Sequence, residues 1–197
     1  AAVWAGGKVV SYREEAKPTQ QSASLMLLVE AALAEAGLGY GDIARVACTT
    51  GPGSFTGIRV GLAAASGIAF AAGIDEAGFT SLEVLAFSVC AQAEGKPILA
   101  VLNAGKGEVY FQAFASAPFA PLMEASLGSM EAAAACIAAP ALQCGNMPLL
   151  AACADAGMVF PRADALAALA AHAPQASALR PFYIREPDAK PQVKVGS

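Results

Sequence analysis

The apolar positions of this chain recur with changing periods. Ala1-Ala2-Val3-Trp4 and Lys8-Val9-Val10-Ser11-Tyr12 flank Ala5-Gly6-Gly7, a pattern of two short strands joined by a Gly-Gly hairpin turn. Beyond Lys17-Pro18, where proline stops the strand, Leu25, Leu28, Val29, Ala32, Leu33 and Ala36 fall at helical spacing, which predicts a helix over 19–36 ended by Gly37. Gly39 to Asp42 reads as a turn opening a short helical turn, and Arg45 to Thr50 as a compact run suited to a buried strand. A glycine-rich turn begins at Gly51, and a second helix is predicted over 56–72, closed by Gly73. Thr80-Ser81-Leu82-Glu83 resembles a helix start, with a helix over 82–93. A strand pair over 97–103 and 108–115 turns at Ala104-Gly105-Lys106-Gly107.

The last third carries a weaker pattern. Helices are predicted over 129–139, 148–156 and 164–172, a short strand and loop over 142–146, and an extended segment from Pro181 whose tail covers 186–197. No short-period repeat interrupts this order, which predicts an α/β protein with a mixed sheet. A boundary near Glu94-Gly95-Lys96 would divide an N-terminal lobe (1–95) from a C-terminal lobe (96–185).

Composition narrows the classes. Of 197 residues 56% are apolar and 14% charged, and so much of the apolar share is alanine that helices can lie close to their neighbours. A net charge of −4 argues against wide contact with a phosphate backbone, which needs clustered Lys and Arg. Gly, Ser and charges break every apolar run short of the roughly eighteen residues of a membrane span, so none is expected. No signal-peptide pattern suggests export. Cys48, Cys90, Cys136, Cys144 and Cys153 form an odd set without CxxC spacing, as expected of reduced, inert thiols in a cytosolic protein.

The candidate chemistry centres on Gly51-Pro52-Gly53-Ser54-Phe55-Thr56-Gly57. Between a strand and a helix, such a run aims backbone N–H groups at one point, a setting for an anion, and Gly51, Gly53, Ser54 and Thr56 are candidate nucleotide-proximal residues. It lacks the lysine of a Walker A loop, however, and Pro52, Gly53 and the Thr56 hydroxyl equally suit a tight turn and helix cap. The helix behind it places Gly57, Gly61, Ala64, Ala65 and Ala69 at three- and four-residue intervals, a face of little bulk. Internal packing and an intermolecular helix bundle both fit that face. With Arg59, Leu62 and, on the first helix, Leu25 and Leu28, it forms the candidate partner interface.

The run GPGSFTGIRVG with its alanine-rich helix, together with Leu179-Arg180-Pro181-Phe182-Tyr183-Ile184-Arg185, resembles the signature and closing segment of the TsaB/YeaZ family, in order across almost the whole chain. The resemblance implies a two-lobed fold of the actin, heat-shock chaperone and sugar-kinase (ASKHA) class. It implies an accessory, non-catalytic role beside the catalytic subunit TsaD and the ATPase TsaE in making N6-threonylcarbamoyladenosine (t6A) in tRNA. The small face of the second helix would let the chain form a homodimer when alone, the net charge leaves contact with tRNA to the complex, and the thiols suit a cytoplasmic location; no intrinsic cofactor is expected, with ATP or ADP only at the interface with TsaD. The resemblance also implies a strand of the type Leu-Ala-Ile-Asp-Thr ahead of Ala1, expected to be missing from this sequence.

Three departures matter. Asn103-Ala104-Gly105 stands where members often carry Asp-Ala-Arg, the family histidine near Thr19 is absent, and His172 is the single histidine. TsaD-like relatives hold a metal with His-x-x-x-His, and one imidazole cannot supply two ligands. His172 is therefore expected to be structural or solvated, as are Glu30, Glu35, Asp155 and Asp164. A small ATPase or glycoprotease-like metallohydrolase of the same fold is the competing reading, though Gly53-Ser54-Phe55 makes no G-x-S-x-G elbow. On the accessory-subunit reading, Gly61→Leu abolishes pairing and leaves the fold intact.

Overall fold

The computed structural model describes residues 1–15, 21–137, 140–157, 160–173 and 178–184. The predicted hairpin forms as β1 (Ala2–Ala5) antiparallel to β2 (Lys8–Tyr12), and Gly6 and Gly7 take φ of 58° and 80° in its turn. Helix α1 (Gln21–Ala36) packs on the hairpin through Val3, Ala32 and Leu33, and Ser11 Oγ donates to the Ala32 carbonyl at 2.7 Å. The predicted start of this helix at Thr19 lies outside the described residues, as do Arg185 and the tail over 186–197.

After a 3-10 turn (Tyr40–Asp42), β3 (Arg45–Gly51) leads through α2 (Phe55–Ala72) into β4 (Asp75–Thr80), which runs parallel to β3. This is a β-α-β unit, the connection that parallel pairing requires. Five of the seven β3 residues are only half-buried, not buried as the sequence suggests, because among the described residues β3 has a strand on one side alone. The β4 strand itself is absent from the sequence reading: Asp75, Glu76 and Gly78 are poor strand formers, and pairing with β3 overrides them.

Helix α3 (Ser81–Phe87) starts at a capping box, Thr80 Oγ1 accepting from Glu83 N and Glu83 Oε2 from Thr80 N. It is shorter than the predicted 82–93. Ser88 Oγ donates back to the Leu85 carbonyl at 2.6 Å, Val89 leaves the helical region, and a 3-10 turn (Cys90–Gln92) follows. The chain then passes Glu94 and Gly95 at φ of 50° and 84°.

The mixed sheet is built on β5 (Ile98–Gly105) and β6 (Glu108–Ser116), an antiparallel pair turning at Lys106-Gly107. β7 (Phe119–Pro121) and β8 (Ser126–Gly128), both missed in the sequence, pair with β6. After α4 (Met130–Ala135), β9 (Ala141–Gly145) runs parallel to β5 and β10 (Cys153–Asp155) parallel to β9. Residues 148–156 are thus not a helix. Buried Gln143 holds that segment in a loop, donating to the Pro148 carbonyl and accepting from Leu150 N, each at 2.9 Å.

Alternation along β5 divides the core between the two faces of the sheet. Ile98, Ala100 and Leu102 pack with Leu82, Leu85, Ala86 and Val89 around α3, while Leu99 and Val101 pack with Phe111 and Ala133 beside α4. α3 lies before the predicted lobe boundary yet shares its core with β5, β6 and β9. The last helix, α5 (Ala163–His172), returns to the first half of the chain. Arg45 Nη1 donates to the Ala170 and Ala173 carbonyls at 3.0 Å, capping its end, and exposed His172 meets Trp4 edge-on at 5.5 Å.

Candidate docking face and its anchoring turn

The GPGSFTG run forms the predicted turn. Ser54, not Thr56, is the N-cap of α2: Gly57 N donates to Ser54 Oγ at 3.4 Å, and Thr56 already lies within the helix. Gly51 and Pro52 are buried, whereas Gly53, Ser54 and Thr56 are exposed. Gly51 has φ 117°, and a Cβ there would stand 2.8 Å from the Phe182 carbonyl oxygen. The main chain of 178–184 crosses this point as a strap. Phe182 N donates to the Thr50 carbonyl at 2.8 Å, and Leu179 enters the core beside Ile58, Leu62 and Ala65. The cavity left among Pro52, Gly53, Ile58, Tyr110 and Phe182 is about 20 Å³, room for one water, where a small-molecule site takes about 300 Å³ or more. The strap covers the Gly51–Pro52 side of the turn and leaves Gly53, Ser54 and Thr56 exposed.

The predicted interface residues separate onto different faces of α2. Leu62, Ala65 and Ala69 are buried at 5–6% exposure, continuing the row from Ile58, and Leu62 and Ala65 pack inward with Leu179 and with Val46 and Cys48 of β3. Gly61 is also inward: a Cβ there would stand 3.0 Å from Cys48 Sγ. These four therefore belong to the chain's own core rather than to a surface, and Gly61→Leu would disrupt the fold it was expected to leave intact. Gly57 is half-buried and Arg59 exposed at the start of the helix. Ala64 is half-buried between α2 and α1, and Leu25 and Leu28 are half-buried on α1.

The outward face consists of residues the sequence reading passed over. Phe70 is 92% exposed and Leu27 65% exposed, and Ala63, Gly67 and Ala71 lie open beside them. Between α1 and α2 runs an open groove of about 690 Å³ lined by Met26, Glu30, Tyr40, Ala64, Gly67 and Ile68, and the Tyr40 hydroxyl beside it is buried without a hydrogen-bond partner among the described residues. A large ring in water opposite the Ile58 and Leu62 row is the signal that identifies this face. By length and composition alone α2, at mean hydropathy 1.5, is apolar enough to cross a membrane, contrary to the sequence expectation. Its Ile58, Leu62, Ala65 and Ala69 row is nonetheless packed inside the fold.

The candidate acid-base and metal-ligating residues do not converge. Among the described residues no three of His, Cys, Asp and Glu are close enough to hold a metal. Asp164 pairs with Arg162, whose hydrogen bond holds its carboxyl below the usual range, and Glu35 pairs with Arg13 at 3.0 Å. All five cysteines are free thiols; burial pushes Cys48 and Cys90 up to about 11 and Cys144 to about 12, so these three stay protonated and unreactive at neutral pH.

The architecture is an α/β fold with a mixed sheet flanked by helices, and solved structures share it. A crystal structure of an uncharacterised Pseudomonas aeruginosa protein, described as similar to peptidase YEAZ, superposes with a TM-score of 0.81 over 93% of each chain at 23% identity. The family model described as TsaD, tRNA N6-adenosine threonylcarbamoyltransferase, matches residues 15–117. An uncharacterised protein of Mycobacterium tuberculosis (strain ATCC 25618 / H37Rv) is 33% identical over 166 residues, 83% of this chain and 74% of that one. The tRNA threonylcarbamoyladenosine biosynthesis protein TsaB of Escherichia coli K12 is 32% identical over 110 residues, 56% of this chain and 47% of that protein. The chain belongs to the TsaB/YeaZ family, within the wider group that the TsaD model describes. Its matches to the E. coli and Haemophilus influenzae TsaB proteins span less than half of their length.

Proposed function

We propose that this chain is a non-catalytic partner subunit in tRNA threonylcarbamoyladenosine synthesis, docking on a TsaD-type threonylcarbamoyltransferase through the outward face of α1 and α2 and acting together with a TsaE-type ATPase. The observation that carries the reading is Phe70: a phenylalanine 92% in water, on a helix whose neighbouring apolar groove is open along its length. Exposed apolar surface of this kind marks a binding face, and a projecting aromatic ring is a common anchor. In the absence of TsaD the same face is proposed to pair with a second copy, which symmetry makes isologous.

The test is co-expression with the TsaD-type subunit of the same genome. Phe70→Ser is expected to melt at the wild-type temperature, since the ring touches water, and to lower affinity for that subunit at least tenfold by titration calorimetry. Wild-type affinity in this variant would remove the outward face of α2 from the interface.

A further inference from the structure

Arg59 is exposed yet held in one place. Its guanidinium carbon lies 3.9 Å from the centre of the Phe55 ring, and its Nε donates to Tyr183 Oη at 3.2 Å. The rings of Phe55 and Tyr183 stack at 5.8 Å with 25° between their planes. Arg13, Arg45 and Arg162 each reach a carboxylate, on Glu35, Asp75 and Asp164, whereas among the described residues Arg59 has no carboxylate partner. Position matters too: Arg59, Ala63, Gly67 and Phe70 follow one another in steps of four, four and three residues, so the cation heads the same outward row that Phe70 ends.

We propose that Arg59 is the polar anchor of the docking face and takes a carboxylate of the partner protein on its two Nη groups. The proposal rests on the docking reading above. A guanidinium stacked on a ring and tied at Nε presents the remaining donors as a planar fork, the geometry that a carboxylate meets with two parallel hydrogen bonds. The ordering entropy of the arginine is lost before the partner arrives, which favours affinity. Nucleic acid is the less suitable ligand, because phosphate contact draws on clustered cations and this chain carries a net charge of −4.

Affinity for the TsaD-type subunit, measured by calorimetry at two salt concentrations, tests this. Arg59→Gln is expected to bind at least tenfold more weakly, and Arg59→Lys to fail to restore binding because an ammonium does not make the planar fork. Tyr183→Phe, which keeps the ring stack and removes the Nε acceptor, is expected to lose a few-fold. Wild-type affinity should fall as salt rises, and Arg59→Gln should lose most of that dependence. Thermal melting establishes that each variant folds. Unchanged affinity in Arg59→Gln overturns the proposal, as does weaker binding with the wild-type salt dependence, which would make Arg59 a packing residue. A variant that keeps subunit affinity but loses tRNA retention in the complex would assign Arg59 to RNA and equally overturn it. Failure of the wild-type chain to bind the subunit at all refutes the docking reading instead, so the two failures are distinguishable.

Discussion

Two glycines in one helix should respond differently to the same substitution. Gly61 and Gly67 both lie inside α2, where glycine costs about 1 kcal/mol relative to alanine. At Gly67 an added Cβ meets nothing within 4 Å, so Gly67→Ala should gain the full increment and raise the melting temperature of the isolated chain by about 2–4 °C. At Gly61 the added Cβ stands 3.0 Å from Cys48 Sγ, and the sulfur, fixed in β3 and half-buried, must move. Overpacking of this kind costs about 1–3 kcal/mol, which cancels or exceeds the propensity gain, so Gly61→Ala should be neutral or destabilised. In a Cys48→Ala background the obstruction is gone and Gly61→Ala should stabilise as Gly67→Ala does. The assay is urea denaturation of the four chains of the Gly61/Cys48 cycle, with Gly67→Ala as reference. A coupling energy within about 0.5 kcal/mol of zero would refute the packing argument, because residues not in contact show that little. A further contrast comes from the complex: Gly67→Ala narrows the groove and should weaken binding of the TsaD-type subunit even as it stabilises the free protein.

Other outcomes follow from features already located. Gly51→Ala combines a φ of 117° with a clash against the Phe182 carbonyl and should cost at least about 2 kcal/mol, read as a lowered urea midpoint; an unaffected midpoint would mean the strap does not close on the turn. Desolvation raises the folded pKa of buried Cys144 to about 12 and of half-buried Cys48 to about 11, above the ordinary thiol value near 8.5, so the neutral thiols favour folding. That contribution is complete below about pH 8.5 and is lost as pH rises toward 11–12, so urea stability should fall between pH 8 and 10.5, and less steeply in Cys144→Ala. Native-state alkylation at pH 8 should label exposed Cys136 first and leave Cys144 unmodified until the chain unfolds.

The elements with an uncompromised period were legible in the sequence: the Gly6-Gly7 hairpin, α2 with its Gly73 stop, and the β5–β6 pair about Lys106-Gly107. β4 was hidden because its strand character comes from lying beside β3, not from Asp75, Glu76 or Gly78. The candidate interface was half legible. Small residues look alike from either side of a helix, so Gly61, Ala65 and Ala69 gave no direction, although Ile58 and Leu62 on one side and Phe70 on the other held the answer. The strap was not legible at all, since nothing local to Leu179, Phe182 or Tyr183 announces a contact with the Gly51 turn.

That strap also sets an order of events during synthesis. The inner face of α2 is sealed by Leu179, whose amide reaches Glu76 across 103 residues, and the Arg59–Tyr183 contact spans 124. A chain emerging from the ribosome can form the β3–α2–β4 unit early, but must hold that unit with one side uncovered until about a hundred further residues have appeared. At about 5–20 residues per second this interval lasts about 5 to 20 seconds. Throughout it, Ile58 and Leu62 lack their closing cover while Phe70 is already in water, so the nascent helix shows apolar side chains on both sides. The newborn protein is then most exposed to wrong associations, and early engagement of its partner would protect it.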